Sequence, residues 1–175
     1  KGARQIACAH HAGSGRRRTM QGDPAIIDAL NDVLSAELGA INQYFIHAKM
    51  CENWGYARLA KQKRAESISE MKHADKVIER ILFLDGTPNM QKLAAVRVGE
   101  DAVEQHELDL ALELDAQKRL NKAIKLTHDK SDAGSRDLLE QILAEEEEGI
   151  DWLEAQLHII KEIGKERYLA EQIKE

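Results

Sequence analysis

Apolar residues recur every three or four positions over four long stretches of the chain, the spacing of an amphipathic helix rather than the alternation of a strand. From Pro24 to about Asn53 the stripe reads Ile27, Leu30, Leu34, Glu37, Ile41, Tyr44. From about Tyr56 to Leu84 it reads Leu59, Glu66, Glu70, His73, Val77, Ile81, Leu84. From about Glu100 to His128 it reads Val103, His106, Leu110, Glu113, Gln117, Leu120, Ile124, and from about Ala133 to Ile163 it reads Leu139, Ile142, Glu146, Gly149, Leu153, Leu157. A short fifth helix is expected after Gly164, from Lys165 to Ile173. Breakers stand where the stripes stop: Asp23 as N-cap before Pro24, then "NWG" at 53–55, "DGTPN" at 85–89 and "DKSD" at 129–132.

The connections set the topology. The first and second helices, and the third and fourth, are joined by short turns and so form antiparallel hairpins. The link from Asp85 to Gly99 is long enough to run the length of a bundle. Two hairpins joined by one crossover is the ferritin-like form of the four-helix bundle. The sequence therefore predicts an all-α fold: a ferritin-like four-helix bundle with a long crossover between helices 2 and 3 and a short fifth helix.

Composition narrows the function. The chain has 175 residues, enough for one well-cored domain. Two cysteines, Cys8 and Cys51, make no disulfide framework, and no apolar run approaches the roughly 20 residues of a membrane span. Together they point to a cytoplasmic protein. The formal charge of −6 is uneven, because residues 1–19 carry five Lys/Arg and no acid. The remaining 20 bases against 31 acids leave a body of charge −11, unsuited to nucleic acid and attractive to cations. The first 19 residues have no helical period and read as a basic leader or extension, in which Cys8, His10 and His11 form at most an adventitious metal site; residues 20–175 form the domain.

The acids in the stripes carry the chemistry. Each stripe is apolar but for a carboxylate near its centre, and the four helix midpoints fall near residues 38, 70, 114 and 148, about level with Glu37, Glu70, Glu113 and Glu146. Ionised carboxylates sharing a core repel and resist desolvation unless cations join them. A Glu from each of two helices and a Glu-x-x-His from each of the other two is the ligand set of di-iron carboxylate bundles. Glu70-x-x-His73 is complete; Glu146 begins the second motif, but Gly149 stands at its i+3 position.

At these positions the chain resembles bacterioferritin. The stretches "LSAELGAINQYFIHAKM", "ESISEMKHADKVIERILFLDGTPN", "DLALELD" and "GIDWLEAQLHIIKEIG" carry the resemblance, which covers Met20 to Glu175. It implies a shell of 24 subunits that stores ferric mineral and a ferroxidase site that oxidises Fe2+ inside each bundle. It further implies Glu37 as a terminal ligand, Glu70 and Glu146 as bridges, His73 on the first iron and Glu113 on the second, with Tyr44 beside them. Met71 follows Glu70 and so points about 100° away, outward. The resemblance makes it the ligand of haem b at a twofold interface, where the two copies of Met71 meet. Leu38, Ile41, Asn42 and Phe45 would help line that pocket. A small iron–sulfur ferredoxin is the implied reductant.

The chain departs from that pattern at Gly149, where the family has His, and at Ala65 and Ser69, where it often has His and Asp. A neighbouring Glu145 or Glu148 swinging inward would be one compensation. Two functions stay open: a ferroxidase and iron-storage subunit with a weakened second iron, or a haem-carrying electron-transfer subunit of a mixed shell whose companion does the oxidation. A rubrerythrin-like peroxidase lacks its Cys-x-x-Cys module here.

Overall fold

The computed structural model describes residues 21–174. The basic extension at 1–19, with Cys8, His10 and His11, lies outside them. The helices are α1 (Pro24–Asn53), α2 (Ala57–Phe83), α3 (Ala102–Asp129), α4 (Ala133–Ile163) and α5 (Lys165–Ala170). Helix ends follow local chemistry. The Asp23 carboxylate accepts from Ala25 N at 2.8 Å, Asp101 from Val103 N and Glu104 N, and Asp132 from Ser135 N, satisfying N–H groups that the first turn leaves free. Gly55 and Gly164 take φ of 84° and 86° where the chain leaves α1 and α4. The fifth helix is shorter than the expected Lys165–Ile173 and ends at Ala170. Tyr168 is buried, with its hydroxyl on His106 of α3, and past Ala170 the chain turns so that Gln172 O accepts from Arg58 N at 3.1 Å.

α1 lies along α2 and α3 along α4; α1 also packs on α3, α2 meets α4, and α5 folds onto α4. The crossover after α2 runs back along α1, with Ala94 N bonded to Ser35 O and Arg97 N to Gln43 Oε1. Gly39 permits that approach, since a Cβ there would stand 2.9 Å from the Ala94 Cβ. The crossover makes α3 parallel to α2, so α2 and α4 are antiparallel. At one end of the bundle Leu30, Leu34, Val77, Ile81, Leu120, Leu139 and Ile142 close a dry core. A smaller cluster at the other end joins Cys51, Leu59, Ala102 and Tyr168. Among the described residues no helix is long and apolar enough to cross a membrane.

One expectation needs correcting. The stripes are not apolar apart from one central carboxylate: Gln43, His47, Lys63 and Asp109 are also buried, at 0 or 1 % exposure. They lie between the central acids and the Cys51 cluster. Asp109 Oδ1 accepts from Gln43 Nε2 at 2.9 Å and from His47 Nδ1 at 2.8 Å, while Lys63 Nζ bonds Oδ2. His47 Nε2 accepts from Gly99 N at 3.1 Å, which leaves Nδ1 as the ring nitrogen that donates to Asp109. Burial opposes the Asp109 charge, but Lys63, His47 and Gln43 outweigh it and hold its carboxyl below the usual carboxylate range. A buried ion pair is tolerated in a core when further hydrogen bonds hold its members, as Gln43 and His47 hold Asp109.

Candidate metal centre

Halfway along the bundle the four long helices each turn one carboxylate inward: Glu37 from α1, Glu70 from α2, Glu113 from α3 and Glu146 from α4, all at most 4 % exposed. His73 joins them one turn after Glu70. Its Nδ1 stands 3.1 Å from Glu146 Oε1, 3.2 Å from Glu70 Oε2 and 3.6 Å from Glu37 Oε2. One donor atom from each of Glu37, Glu70, His73 and Glu146 falls within 4.8 Å of the others. Ligands about 2.1 Å from a shared cation stand no more than about 4.2 Å apart, so closing on an ion takes only a few tenths of an ångström of movement per side chain.

The electrostatics of this cluster ask for a cation. Burial pushes Glu37 and Glu113 above their ordinary range, with the nearby Glu146 charge adding to it, and raises Glu70 to about 8. Burial disfavours a charged His73, but Glu146, Glu37 and Glu70 together reverse that and raise it. Glu37 Oε1 and Glu113 Oε2 are buried without a hydrogen-bond partner, and Glu146 Oε1 has only the His73 ring nitrogen beside it. Orphaned carboxylate oxygens are costly in a core and are the normal dress of a metal site.

Glu113 stands outside the four-donor group. Its Oε1 accepts a hydrogen bond from the Tyr44 hydroxyl, which burial and the Glu113 charge hold in its phenol form. Gly149, one turn beyond Glu146, leaves open space: apart from its own stretch of helix, no atom lies within 4 Å of where its Cβ would be. Neither glutamate that could have compensated from α4 fills it. Glu145 accepts from His73 Nε2 at 3.0 Å and pairs with Lys76 at 3.3 Å, and Glu148 is exposed. Glu145 thus sits on the outer nitrogen of His73, leaving Nδ1 to face the acids. That role was not foreseen in the sequence, where four glutamates in a row look alike.

Met71 is 45 % exposed on the outer side of α2, with Ile68 and Phe45 also exposed. Leu38 is buried, Ile41 half-buried and Asn42 exposed. The Arg64 guanidinium lies 4.9 Å over the Phe45 ring. Ala65 is exposed and Ser69 half-buried.

Comparison with known proteins agrees with this geometry. The ferritin-like domain family matches residues 27–163. The bacterioferritin of Mycobacterium tuberculosis is 49% identical over 152 residues, 87% of this chain and 96% of its own. The bacterioferritin of Streptomyces coelicolor is 48% identical over 156 residues, 89% of this chain and 93% of its own. That of Brucella melitensis is 46% identical over 149 residues, covering 85% and 92%. An acid-centred bundle with one long crossover, matched along nearly its whole length at this level of identity, belongs to the bacterioferritin branch of the ferritin family.

Proposed function

We propose that this chain is the subunit of an iron-storage shell whose bundle interior binds Fe2+ and oxidises it. The observation that carries the reading is the buried set Glu37, Glu70, His73 and Glu146 with orphaned oxygens beside it. Fe2+ is the substrate. Three carboxylates and one imidazole are hard-to-borderline donors suited to it, and added negative charge favours the ferric product. In this reading Glu70 and Glu146, which neighbour His73 on one side and Glu113 on the other, would be shared between two ions. Oxidation of a pair by dioxygen removes one electron from each Fe2+ and leaves Fe3+ and, with two protons, hydrogen peroxide. Glu145 on His73 Nε2 fixes the ring so that the Nδ1 lone pair meets the ion. Tyr44 holds Glu113 by its hydroxyl. Without an imidazole at position 149 the second ion is held less firmly than the first.

The outer face adds a haem b site. Met71 offers a thioether with no competing hydrogen bond among the described residues, next to exposed Ile68 and Phe45, and a twofold mate would supply a second thioether. Neutral sulfur ligation raises a haem's potential and suits electron passage from a small iron–sulfur ferredoxin into the shell. The shell has 24 subunits, as the resemblance implies, and stands in the cytoplasm. Retained Met71 beside a missing ligand at Gly149 also supports a second reading, an electron-transfer subunit in a mixed shell. Ferrous oxidation by the purified chain alone separates the two. A rate well above that of Fe2+ in buffer supports the ferroxidase, and a rate equal to buffer, restored by a companion subunit, supports the mixed shell.

A further inference from the structure

Position 149 leaves room on α4 for a donor it does not provide, and contacts across the bundle show which residue faces that room. α2 and α4 run antiparallel. His73 meets Glu145 and Glu146, and Arg80 meets Asp132 and Ser135, so lower numbers on α2 lie opposite higher numbers on α4. One turn before Glu70 on α2 is therefore level with one turn after Glu146 on α4, which places Glu66 opposite Gly149. α2 and α3 run parallel, and the Lys63–Asp109 contact fixes their register. Three residues on from Lys63 is Glu66, and four on from Asp109 is Glu113. Glu66 is thus level both with Gly149 and with Glu113, the two positions that define the second ion.

Resting on the di-metal reading above, we propose that Glu66 supplies from α2 the ligand that Gly149 does not supply from α4, so that the second metal position is an all-oxygen site of Glu66, Glu70, Glu113 and Glu146. The side chain is prepared for this. Glu66 is half-buried, and Gln62 Nε2 donates to its Oε1 at 2.6 Å, leaving Oε2 for another partner. No atom obstructs the hole beside Gly149. Glu113 Oε2, at the same level by the α2–α3 register, is buried and unpartnered. An all-oxygen second position beside a nitrogen-bearing first one also makes the two sites chemically unlike: the preference for Zn2+ over hard ions such as Mn2+ is smaller at the second than at the first.

The test is anaerobic titration of the assembled full chain with Co2+, followed by calorimetry and by visible absorption. The unmodified chain is expected to bind two Co2+ per subunit, one tight and one weaker. Glu66→Gln, nearly isosteric, should leave the tight Co2+ unchanged and weaken the second by more than about 100-fold, the upper end of what losing a mere outer-sphere partner costs. Gly149→His placed on top of Glu66→Gln should restore the second Co2+, showing that the bundle is intact. Two Co2+ of unchanged affinity in Glu66→Gln overturn the proposal, as does a single Co2+ in the unmodified chain. Failure of the underlying reading has a different signature, namely Co2+ binding that Glu70→Ala does not alter at all.

Discussion

Gly149→Ala and Gly149→His together separate the helical cost of this residue from its chemical cost. Gly in the interior of a helix is about 1 kcal/mol less favourable than Ala because it surrenders more backbone freedom on folding. Here a Cβ would meet nothing within 4 Å, so no steric term offsets the gain. Gly149→Ala should therefore stabilise the metal-free subunit by about 1 kcal/mol, or about 3 °C in Tm for a domain of this size. His is a poorer helix former than Ala by roughly 0.6 kcal/mol, so Gly149→His should gain only a few tenths of a kcal/mol without metal. With saturating Co2+ the order should invert. If the new imidazole tightens the second position 100-fold, linkage adds about 2.7 kcal/mol that the Ala variant cannot gain. Differential scanning calorimetry of the three proteins, each with and without Co2+, reads all of these quantities. A metal-free Ala variant less stable than the parent would refute the open-helix geometry. A His variant that gains no more from Co2+ than the Ala variant would refute the assignment of position 149 to the metal centre.

Three further predictions follow from other parts of the molecule. Lys63→Met leaves Asp109 a buried charge with only Gln43 and His47 as donors and should cost about 3–5 kcal/mol in chemical denaturation; a loss under about 1 kcal/mol would mean the pair is not buried as described. Met71→Leu should leave the shell assembled, by gel filtration, but without the absorption of a haem held by two sulfurs; normal haem content in that variant removes Met71 as ligand. The metal-free chain should lose stability as pH rises from about 5 to about 8. Burial raises folded Glu70 from 4.5 to about 8, so in that window the folded chain holds more protons than the unfolded one, at about 1.4 kcal/mol per pH unit for each proton. Glu37 and Glu113 act in the same direction, excess metal should flatten the slope, and a stability that rises with pH in metal-free protein contradicts the shared acid core.

Much of the fold is legible because α-helices write their period into the sequence. The ends of α1 and α4 fall where Asp23, Asp132 and Gly164 place them, and the long link from 85 to 99 identifies the crossover. The central acids are legible because a carboxylate on an apolar stripe stands out. What the stripe hides is a polar residue that another polar residue satisfies. Gln43, His47, Lys63 and Asp109 look like solvated positions one at a time, and only the packing of α1 and α2 on α3 reveals that each answers another. A faint signal existed: Asp109 is one turn from Glu113 on the same face, and Gln43 and His47 are four apart. The separate identities of Glu145 and Glu146 were half legible. Periodicity turns Glu146 inward, but the grip of Glu145 on the outer nitrogen of His73 depends on how α2 and α4 cross, which no local pattern records.

Anaerobic Fe2+ titration of the purified chain, followed by mixing with dioxygen in a stopped-flow spectrophotometer, tests the central claim most directly. The buried cluster of Glu37, Glu70, His73 and Glu146 predicts saturable Fe2+ binding inside each subunit and oxidation faster than in buffer. Glu70→Ala should abolish both, since the proposed function has Glu70 serve the first position and bridge to the second. Binding and oxidation unchanged in Glu70→Ala would contradict the account and move iron chemistry out of the bundle.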